Sequence, residues 1–137
     1  MRILAIDYGD ARTGLAVSDA TGTIAGEAWV IQEKNPMALA KLIVQEAASR
    51  EVRRIVVGYP RNMDGTSGFR AQKSEGLIAL LKAECGIEVI PWDERMTTMS
   101  ANRILTEAGK RGKKRKKTID AVAAALILES YLLSLKD

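Results

Sequence analysis

The connections between apolar segments change character along this chain, and that change constrains the fold more than any other feature of the sequence. The first three segments have the length and residue types of strands and are separated by short turns, so we expect an antiparallel meander. They cover residues 2–7, 14–18 and 24–31. From Asn35 onward, helical patterns alternate with strands, which indicates helix-linked parallel strands. This order predicts one mixed sheet of the α/β class with helices on its faces.

The later elements are predicted from the same patterns. One helix begins at Asn35-Pro36 and continues to about Arg50. The last helix, 118–135, is apolar nearly all round and begins with small residues, so it should pack closely on the sheet. The other predicted elements are strands at 54–58 and 87–92 and helices at 67–84 and 98–108. Since the 137 residues contain no repeat and no linker, we expect a single domain, 1–137.

Acidic residues stand at three element ends. Asp7 ends the first strand, Asp93 and Glu94 follow the fifth, and Asp120 opens the last helix after a Thr118 cap. If the fourth and fifth strands lie parallel to the first, these ends share an edge, where ligands bind in open α/β sheets. Adjacent strand residues face opposite ways, so one of Asp93 and Glu94 should point into such a site. Each acid also fits a structural role as a turn residue, an ion-pair partner or a partner of the helix dipole.

The residue types restrict the chemistry. The chain has no histidine and one cysteine, Cys85, which excludes imidazole bases, the common zinc sites and Cys-His nucleophiles. Carboxylates remain, and they suit Mg²⁺ or Mn²⁺ together with substrate phosphates. The longest uncharged apolar run, 121–128, is too short to cross a membrane. One cysteine cannot form an internal disulfide, so we expect a cytoplasmic protein.

Positive charge is concentrated in residues 110–117, which we call the basic segment. The net charge is +4, yet without this segment the remaining 14 Lys and Arg are outnumbered by 17 Asp and Glu. We expect a loop that attracts a polyanion such as a nucleic acid backbone. A solvated linker is the alternative. The charged residues are Lys110, Arg111, Lys113, Lys114, Arg115, Lys116 and Lys117.

Two glycine-containing turns are candidate phosphate contacts. In the first, between Asp7 and Gly14, the glycines allow a tight turn that brings backbone N–H groups close to an anion. The second runs from Gly58 through Asn62 into a helix with Ser67 as a possible cap, and helix N-termini bind anions. The alternative for the first segment is an ordinary hairpin, and the alternative for the second is a connection that ends in a capped helix.

Four motifs in this order, which together cover essentially the whole chain, resemble the YqgF family, also called RuvX, of the RNase H-like nuclease superfamily. The motifs are Asp7-x-Gly9-x-x-Arg12-x-Gly14-x-Ala16-x-Ser18-Asp19, Gly58-x-Pro60-x-Asn62-x-Asp64-Gly65, Asp93-Glu94-Arg95 with Thr97-Thr98, and Asp120-x-x-Ala123-Ala124. Tyr59 stands where the family commonly has Leu, a change in packing that affects no carboxylate.

The resemblance implies an RNase H-like fold, a five-stranded mixed sheet of order 3-2-1-4-5 with helices on both faces. It also implies a two-metal nuclease site with Asp7, Glu94 and Asp120 as the catalytic ligands of Mg²⁺ or Mn²⁺. No protein nucleophile is needed, because two cations can activate water and stabilise the leaving oxygen of a phosphodiester.

The implied substrate is the 5′ end of the pre-16S ribosomal RNA, processed during ribosome biogenesis, with pre-ribosomal particles as possible partners. The older family label, Holliday junction resolvase, implies branched DNA instead. In either case Arg12, Asn62 and Ser67 would position phosphates, and the basic segment would attract the backbone.

Two other readings stay open on the sequence alone. Actin-like ATPases and sugar kinases share the core and also open with an Asp-x-Gly turn, but they bind nucleotide between two such lobes, and 137 residues make one. The second is a nucleic-acid-binding module that keeps the fold and its carboxylates without turnover. Metal-dependent cleavage separates that module from a nuclease.

Overall fold

Three strands that run back and forth form one side of the sheet. The computed structural model describes residues 1–59, 69–94 and 112–135. Strand β1 is Arg2–Asp7, β2 is Arg12–Ser18 and β3 is Ala25–Gln32. Because β1 pairs with β2 and β2 with β3 in the antiparallel sense, the predicted meander is confirmed.

Helix α1, Pro36–Ser49, leads from the meander to the parallel part of the sheet. The Asn35 side chain accepts a hydrogen bond from the backbone N–H of Ala38 at 3.0 Å and caps the helix. Pro36 follows in the first turn, where a backbone N–H has no helical partner to lose. The buried side chains recur every three or four positions, as the sequence predicts, and are Leu39, Ala40, Ile43 and Ala47.

The remaining elements alternate strands with helices. They are β4 (Val52–Tyr59), α2 (Phe69–Glu84), β5 (Glu88–Asp93) and α3 (Gly112–Ser134). Strand β4 pairs in parallel with both β1 and β5, and the sheet order is β3-β2-β1-β4-β5. The order implied by the family resemblance is therefore confirmed. Among the helices in the described ranges, none combines the length and apolar character required to cross a bilayer.

Side-chain alternation along β1 divides the core into two layers. Leu4 and Ile6 are buried in a cluster with α1 and α2, on what we call the α1/α2 face. Ile3 and Ala5 are buried in a second cluster with α3, on the α3 face. Helices therefore cover both faces of the sheet, and the face on which a strand residue lies follows from its position in the alternation.

The start of α3 differs from the prediction. The helix begins at Gly112, six residues before the expected Thr118, so the basic segment from Lys113 to Lys117 is helical and is not a loop. Asp120 consequently lies beyond the first turn and is not the dipole partner that was expected there. The reason is local, because Lys and Arg are good helix formers and no Gly or Pro interrupts the chain after Gly112.

Several predictions fall on residues outside the described ranges. They are the helix at 98–108 and the candidate phosphate contacts Asn62, Ser67, Lys110 and Arg111. The predicted helix at 67–84 is described from Phe69 onward, where it agrees with α2.

Candidate active site

Asp7 ends β1 at the edge where the parallel strands also end. It pairs with Gly14 of β2 in the antiparallel ladder. Directly opposite residues in such a pair lie on the same face, and the alternation from Ile3 and Ala5 assigns that face to α3. The Asp7 side chain is half-buried. One carboxylate is thus fixed to the α3 face by the register of the central strands.

Gly14 brings the backbone of α3 against this edge. A Cβ atom on Gly14 would lie 2.0 Å from the backbone oxygen of Asp120 and 3.3 Å from the Cβ of Ala124. No side chain larger than hydrogen fits there, because real atoms do not approach so closely. Since Gly14 is also the strand partner of Asp7, the contact sets Asp120 beside Asp7 at the sheet edge.

Glu94 reaches the same face from the other side. A Cβ atom on Gly58 would lie 2.7 Å from the Oε1 atom of Glu94 and 2.7 Å from the Cδ1 atom of Ile127. Gly58 comes one residue after Val57, whose partner in β1 is Ile6, the residue before Asp7. The Glu94 carboxylate therefore covers the strand adjacent to Asp7. Asp7, Glu94 and Asp120 all lie on the α3 face at one edge of the sheet.

Asp93 lies on the opposite face. It is the last residue of β5, pairs with Tyr59 of β4, and lines a cavity of about 520 Å³ together with residues of α2 such as Glu75 and Lys82. The Tyr59 hydroxyl donates a hydrogen bond to Glu75 within this group. Strand alternation thus separates Asp93 from Glu94, and Glu94 is the residue on the α3 face.

Arg12, the first residue of β2, bonds Asp120 across 108 positions of sequence. Its Nε atom donates to the Oδ2 atom of Asp120 at 2.9 Å, and the two side chains are 35% and 26% exposed. An ion pair with this exposure contributes about 1 kcal/mol or less. The sequence predicted Arg12 as a phosphate contact and gave no sign of this pairing.

The turn between Asp7 and Arg12 is held from two sides. A Cβ atom on Gly9 would lie 2.2 Å from the backbone oxygen of Arg12, so only glycine permits so tight a turn. Asp10 forms an ion pair with Lys73 of α2. These contacts fix the path of the chain from Asp7 to Arg12, the residue that bonds Asp120.

Gly14 and Gly58 have roles that sequence reasoning missed, whereas Gly9 forms the tight turn that the sequence predicts. In the structure, Gly14 admits the α3 backbone and Gly58 admits the Glu94 carboxylate, and the predicted approach of a phosphate to these turns stays a prediction. The signal that could have revealed Gly14 is the small residue Ala124, one helical turn after Asp120. No comparable sequence signal connects Gly58 with Glu94.

The donor chemistry at this edge suits a hard divalent cation, because every candidate ligand is a carboxylate oxygen. The Arg12 guanidinium already occupies the place of a cation at Asp120. Across residues 1–59, 69–94 and 112–135, no three His, Cys, Asp or Glu side chains are grouped closely enough to enclose a metal ion. The three acids share one face at one edge of the sheet without forming a closed set of ligands, and Asp120 is bonded to Arg12.

Two solved structures that match this fold are complexes with Holliday junctions. The structure of "T. thermophilus RuvC in complex with Holliday junction substrate" matches with a TM-score of 0.65 and 13% sequence identity, covering 99% of this chain and 97% of that one. The structure of the Fowlpox virus resolvase with substrate Holliday junction DNA matches with a TM-score of 0.63 and 14% identity, covering 100% of both chains. At these identities the comparison establishes the RNase H-like fold and nothing further.

Sequence relatives are much closer. A protein of Halothermothrix orenii named "Putative pre-16S rRNA nuclease" is 45% identical over 132 residues, which cover 96% of this chain and 94% of the relative. The family described as "RuvX: Holliday junction resolvase" matches residues 1–134. This match confirms the resemblance that the four motifs carry, and the chain belongs to the RuvX family.

Proposed function

We propose that this protein is a metal-dependent nuclease that hydrolyses phosphodiester bonds in pre-16S ribosomal RNA. The observation that carries the proposal is the arrangement of Asp7, Glu94 and Asp120 on one face at the carboxyl edge of the sheet. Their positions depend on two glycine contacts and on strand register, so the arrangement does not rest on one flexible loop.

The proposed cofactor is Mg²⁺ or Mn²⁺, held by Asp7, Glu94 and Asp120. When bound, such ions neutralise charge on the phosphodiester and promote attack by water. The three acids supply only oxygen ligands, which these cations prefer, and each of the three residues is half-buried rather than fully solvated. A half-buried site keeps competing water away and strengthens the attraction between carboxylate and cation.

The other polar groups of the site would bind and orient the substrate. Arg12 lies at the same edge and carries a planar guanidinium that suits phosphate oxygens. The basic residues Lys113 to Lys117 are in the helix that also contains Asp120, so the helix would lead the substrate backbone toward the carboxylates. No Ser, Cys or Thr nucleophile is required, because water attacks phosphorus directly.

The choice of RNA rests on the name of a relative that is 45% identical over nearly the whole chain. A second candidate is resolution of branched DNA, which the description of the matching family favours. Both are phosphodiester hydrolysis at the same site and differ only in the nucleic acid. We place the activity in the cytoplasm, because a single cysteine suits a reducing compartment. Pre-ribosomal particles are the proposed partner, because they contain the proposed RNA substrate.

The test is a cleavage assay with three labelled substrates: pre-16S ribosomal RNA, a four-way DNA junction and a random single strand. Each is incubated with Mg²⁺, Mn²⁺ or EDTA. We expect metal-dependent cleavage of the precursor RNA, no cleavage in EDTA, and no cleavage by Asp7→Asn, which should still fold because Asp7 is at a strand end.

Each alternative has its own outcome in this assay. Preferential cleavage of the junction would replace the RNA assignment with the resolvase. Tight binding of nucleic acid without cleavage under any metal condition would make the protein a binding module. Equal cleavage by the parent and by Asp7→Asn, from preparations free of contaminating nuclease, would contradict the assignment of the site.

A further inference from the structure

The cavity on the α1/α2 face opens at the carboxyl ends of β4 and β5. Its volume of about 520 Å³ is within the range of roughly 300–1,000 Å³ that is typical of small-molecule sites. Tyr59 and Asp93, the last residues of the two strands, are register partners, and both line the cavity. Glu94 follows Asp93 directly, and its carboxylate lies on the α3 face. The cavity and the Glu94 carboxylate are therefore on the two sides of one strand end.

The cavity combines an apolar floor with charged groups around it. Tyr59 and Ile78 are buried residues of the core, whereas Glu75 and Lys82 are exposed residues of α2. Glu75 and Lys82 lie three and four positions from Ile78, so all three side chains are on one side of the helix. A ligand in the cavity would contact apolar surface below and polar groups at its edge, which is the usual composition of a binding site.

One hydrogen-bond acceptor of the cavity is held in place. The Tyr59 hydroxyl donates a hydrogen bond to the Oε1 atom of Glu75. Because Tyr59 is buried at the end of β4, this bond ties an exposed side chain of α2 to the sheet. A carboxylate has about four acceptor positions, so one bond to Oε1 leaves others for a ligand. Glu75 is therefore an oriented acceptor at the edge of the cavity.

The charges around the cavity restrict what it can bind. Among the described residues that line it, Glu75 and Asp93 bring two negative charges and Lys82 brings one positive charge. The carboxylates disfavour a phosphate, and the lysine disfavours a small cation. A neutral, flat group with N–H donors beside a carbonyl oxygen satisfies both kinds of charge. Guanine has this pattern, since N1–H and the N2 amino group share an edge with O6, and no other RNA base has two adjacent N–H groups beside a carbonyl.

We propose that this cavity binds guanine, as an unpaired base of the RNA substrate. Glu75 accepts hydrogen bonds from the N1–H and N2 amino groups, Lys82 donates to O6, and the base lies against the apolar surface of Ile78. The inference rests on the proposed function and adds a sequence preference to it, because phosphate contacts carry no base information. Unpaired bases are the usual targets of sequence-specific RNA recognition. A strand bound near Glu94 passes the end of β5, where a neighbouring base can enter the cavity.

The first experiment locates the ligand on the protein and needs no cleavage. Backbone amide signals of the parent are followed by NMR in EDTA while guanosine, inosine or adenosine 5′-monophosphate is added. Guanosine monophosphate should shift the signals of Tyr59, Glu75 and Ile78. Inosine monophosphate lacks the N2 amino group and should bind about fivefold more weakly, and adenosine monophosphate more weakly still. A titration with arginine amide tests an organic cation as the competing occupant.

The second experiment asks whether the base comes from RNA. In EDTA, binding of an all-adenosine strand is compared with binding of the same strand carrying one central guanosine. The parent should bind the guanosine strand about fivefold more tightly, the ratio that one good base contact gives. Glu75→Gln should lose this preference, and Tyr59→Phe should reduce it because Glu75 is no longer oriented. Glu84→Gln is the matched control, since it removes the same charge from an exposed position of α2 away from the described cavity lining, and it should keep the preference.

The outcomes separate this inference from the proposed function. Equal binding of the two strands by a parent that cleaves RNA would refute the guanine subsite and leave the nuclease in place. In that case, shifts at the cavity with guanosine monophosphate would mean that the cavity serves a free nucleotide. Shifts with arginine amide alone, or a preference that survives in Glu75→Gln, would also refute the assignment. A protein that prefers guanosine through Glu75 but cleaves no RNA with any metal would keep the guanine site and overturn the nuclease.

Discussion

The carboxylate of Glu94 fills the space that a side chain on Gly58 would need, with its Oε1 atom 2.7 Å from the ideal Cβ position. The methyl group of Ile127 closes the same space at 2.7 Å. A strand glycine therefore decides where an acidic residue outside that strand can lie. The contact connects the backbone of β4 with the Glu94 carboxylate, and it can be tested without replacing any charged residue.

We predict that Gly58→Ala separates activity from folding. The new methyl group must displace both the Glu94 carboxylate and the end of the Ile127 side chain, which are the far ends of flexible side chains, so the free energy of unfolding should fall by only about 1–3 kcal/mol. Cleavage should fall sharply, because Glu94 no longer occupies its place on the α3 face. Chemical denaturation and the RNA assay measure the two effects. The control is Gly76→Ala in α2, where no atom lies within 4 Å of the added Cβ and stability should rise by about 0.5–1 kcal/mol. Full activity in a folded Gly58→Ala would contradict the role of Glu94.

Glu94 and Asp93 should differ in the effect of removing their charge. Glu94→Gln keeps the shape of the side chain but removes a proposed metal ligand, so cleavage should fall by about a hundredfold or more. Asp93→Asn changes a residue that lines the cavity on the α1/α2 face and should cost much less. Steady-state cleavage rates of the two folded variants give the comparison. A larger loss in Asp93→Asn would mean that the wrong neighbour was assigned to the site.

The sheet was predictable because its determinants are local. Short turns impose the meander, intervening helices impose parallel pairing, and period-two alternation assigns faces, so Leu4 and Ile3 could be assigned to opposite layers from sequence alone. The start of α3 was not predictable in the same way. Thr118 resembles a cap, but in the structure it lies inside a helix whose preceding Lys and Arg residues have high helix propensity.

The candidate site also combines features that the sequence predicts with features that only packing determines. Convergence of Asp7 and Glu94 at one edge follows if the fourth and fifth strands lie parallel to the first, which the sequence pattern suggests, whereas the full strand order came from the family resemblance. The bond between Arg12 and Asp120 follows from neither, because it depends on the exact height at which α3 crosses Gly14, a distance that only packing determines. A family motif can name both residues, but it does not state that one neutralises the other.

Gly14→Ala should be far more damaging than Gly58→Ala. The added Cβ would meet a backbone oxygen at 2.0 Å, and a helix backbone cannot rotate aside as a glutamate side chain can. We expect a loss of about 3 kcal/mol or more in the free energy of unfolding, measured by denaturant titration. Gly86→Ala is the control, since nothing lies within 4 Å of its added Cβ. Stability equal to that of the control would mean that α3 does not press on Gly14 in solution.

We predict that the ionisation of Asp19, in the turn between β2 and β3, makes the stability of the protein depend on pH. Hydrogen bonds from the Thr21 hydroxyl and from the backbone N–H groups of Ile24 and Thr23 lower the pKa of Asp19 well below its ordinary value of 3.8. A carboxyl group whose pKa is lower in the folded than in the unfolded protein stabilises the fold at pH values above its unfolded pKa. This stabilisation decreases below the unfolded pKa and is lost as the pH falls through the folded pKa. Asp19→Asn should therefore melt at a lower temperature than the parent at pH 7, and the gap should narrow at pH 3. A gap that does not change with pH would assign the effect to side-chain geometry instead of charge.

The basic residues of α3 should control substrate binding and not turnover. Replacing Lys113, Lys114, Lys116 and Lys117 with Gln should weaken binding to all nucleic acid sequences alike, because phosphate contacts carry no base information. Each lost contact should reduce the slope of log affinity against log salt by about 0.7 for a single strand or about 0.9 for duplex DNA. Only those side chains that reach a phosphate contribute a step, so the total change should be at most four such steps. Cleavage at saturating substrate should survive, since the proposed metal ligands are elsewhere. Binding isotherms at several salt concentrations test this: an unchanged slope would make the segment a solvated part of the helix, and lost turnover with normal binding would assign it to the active site.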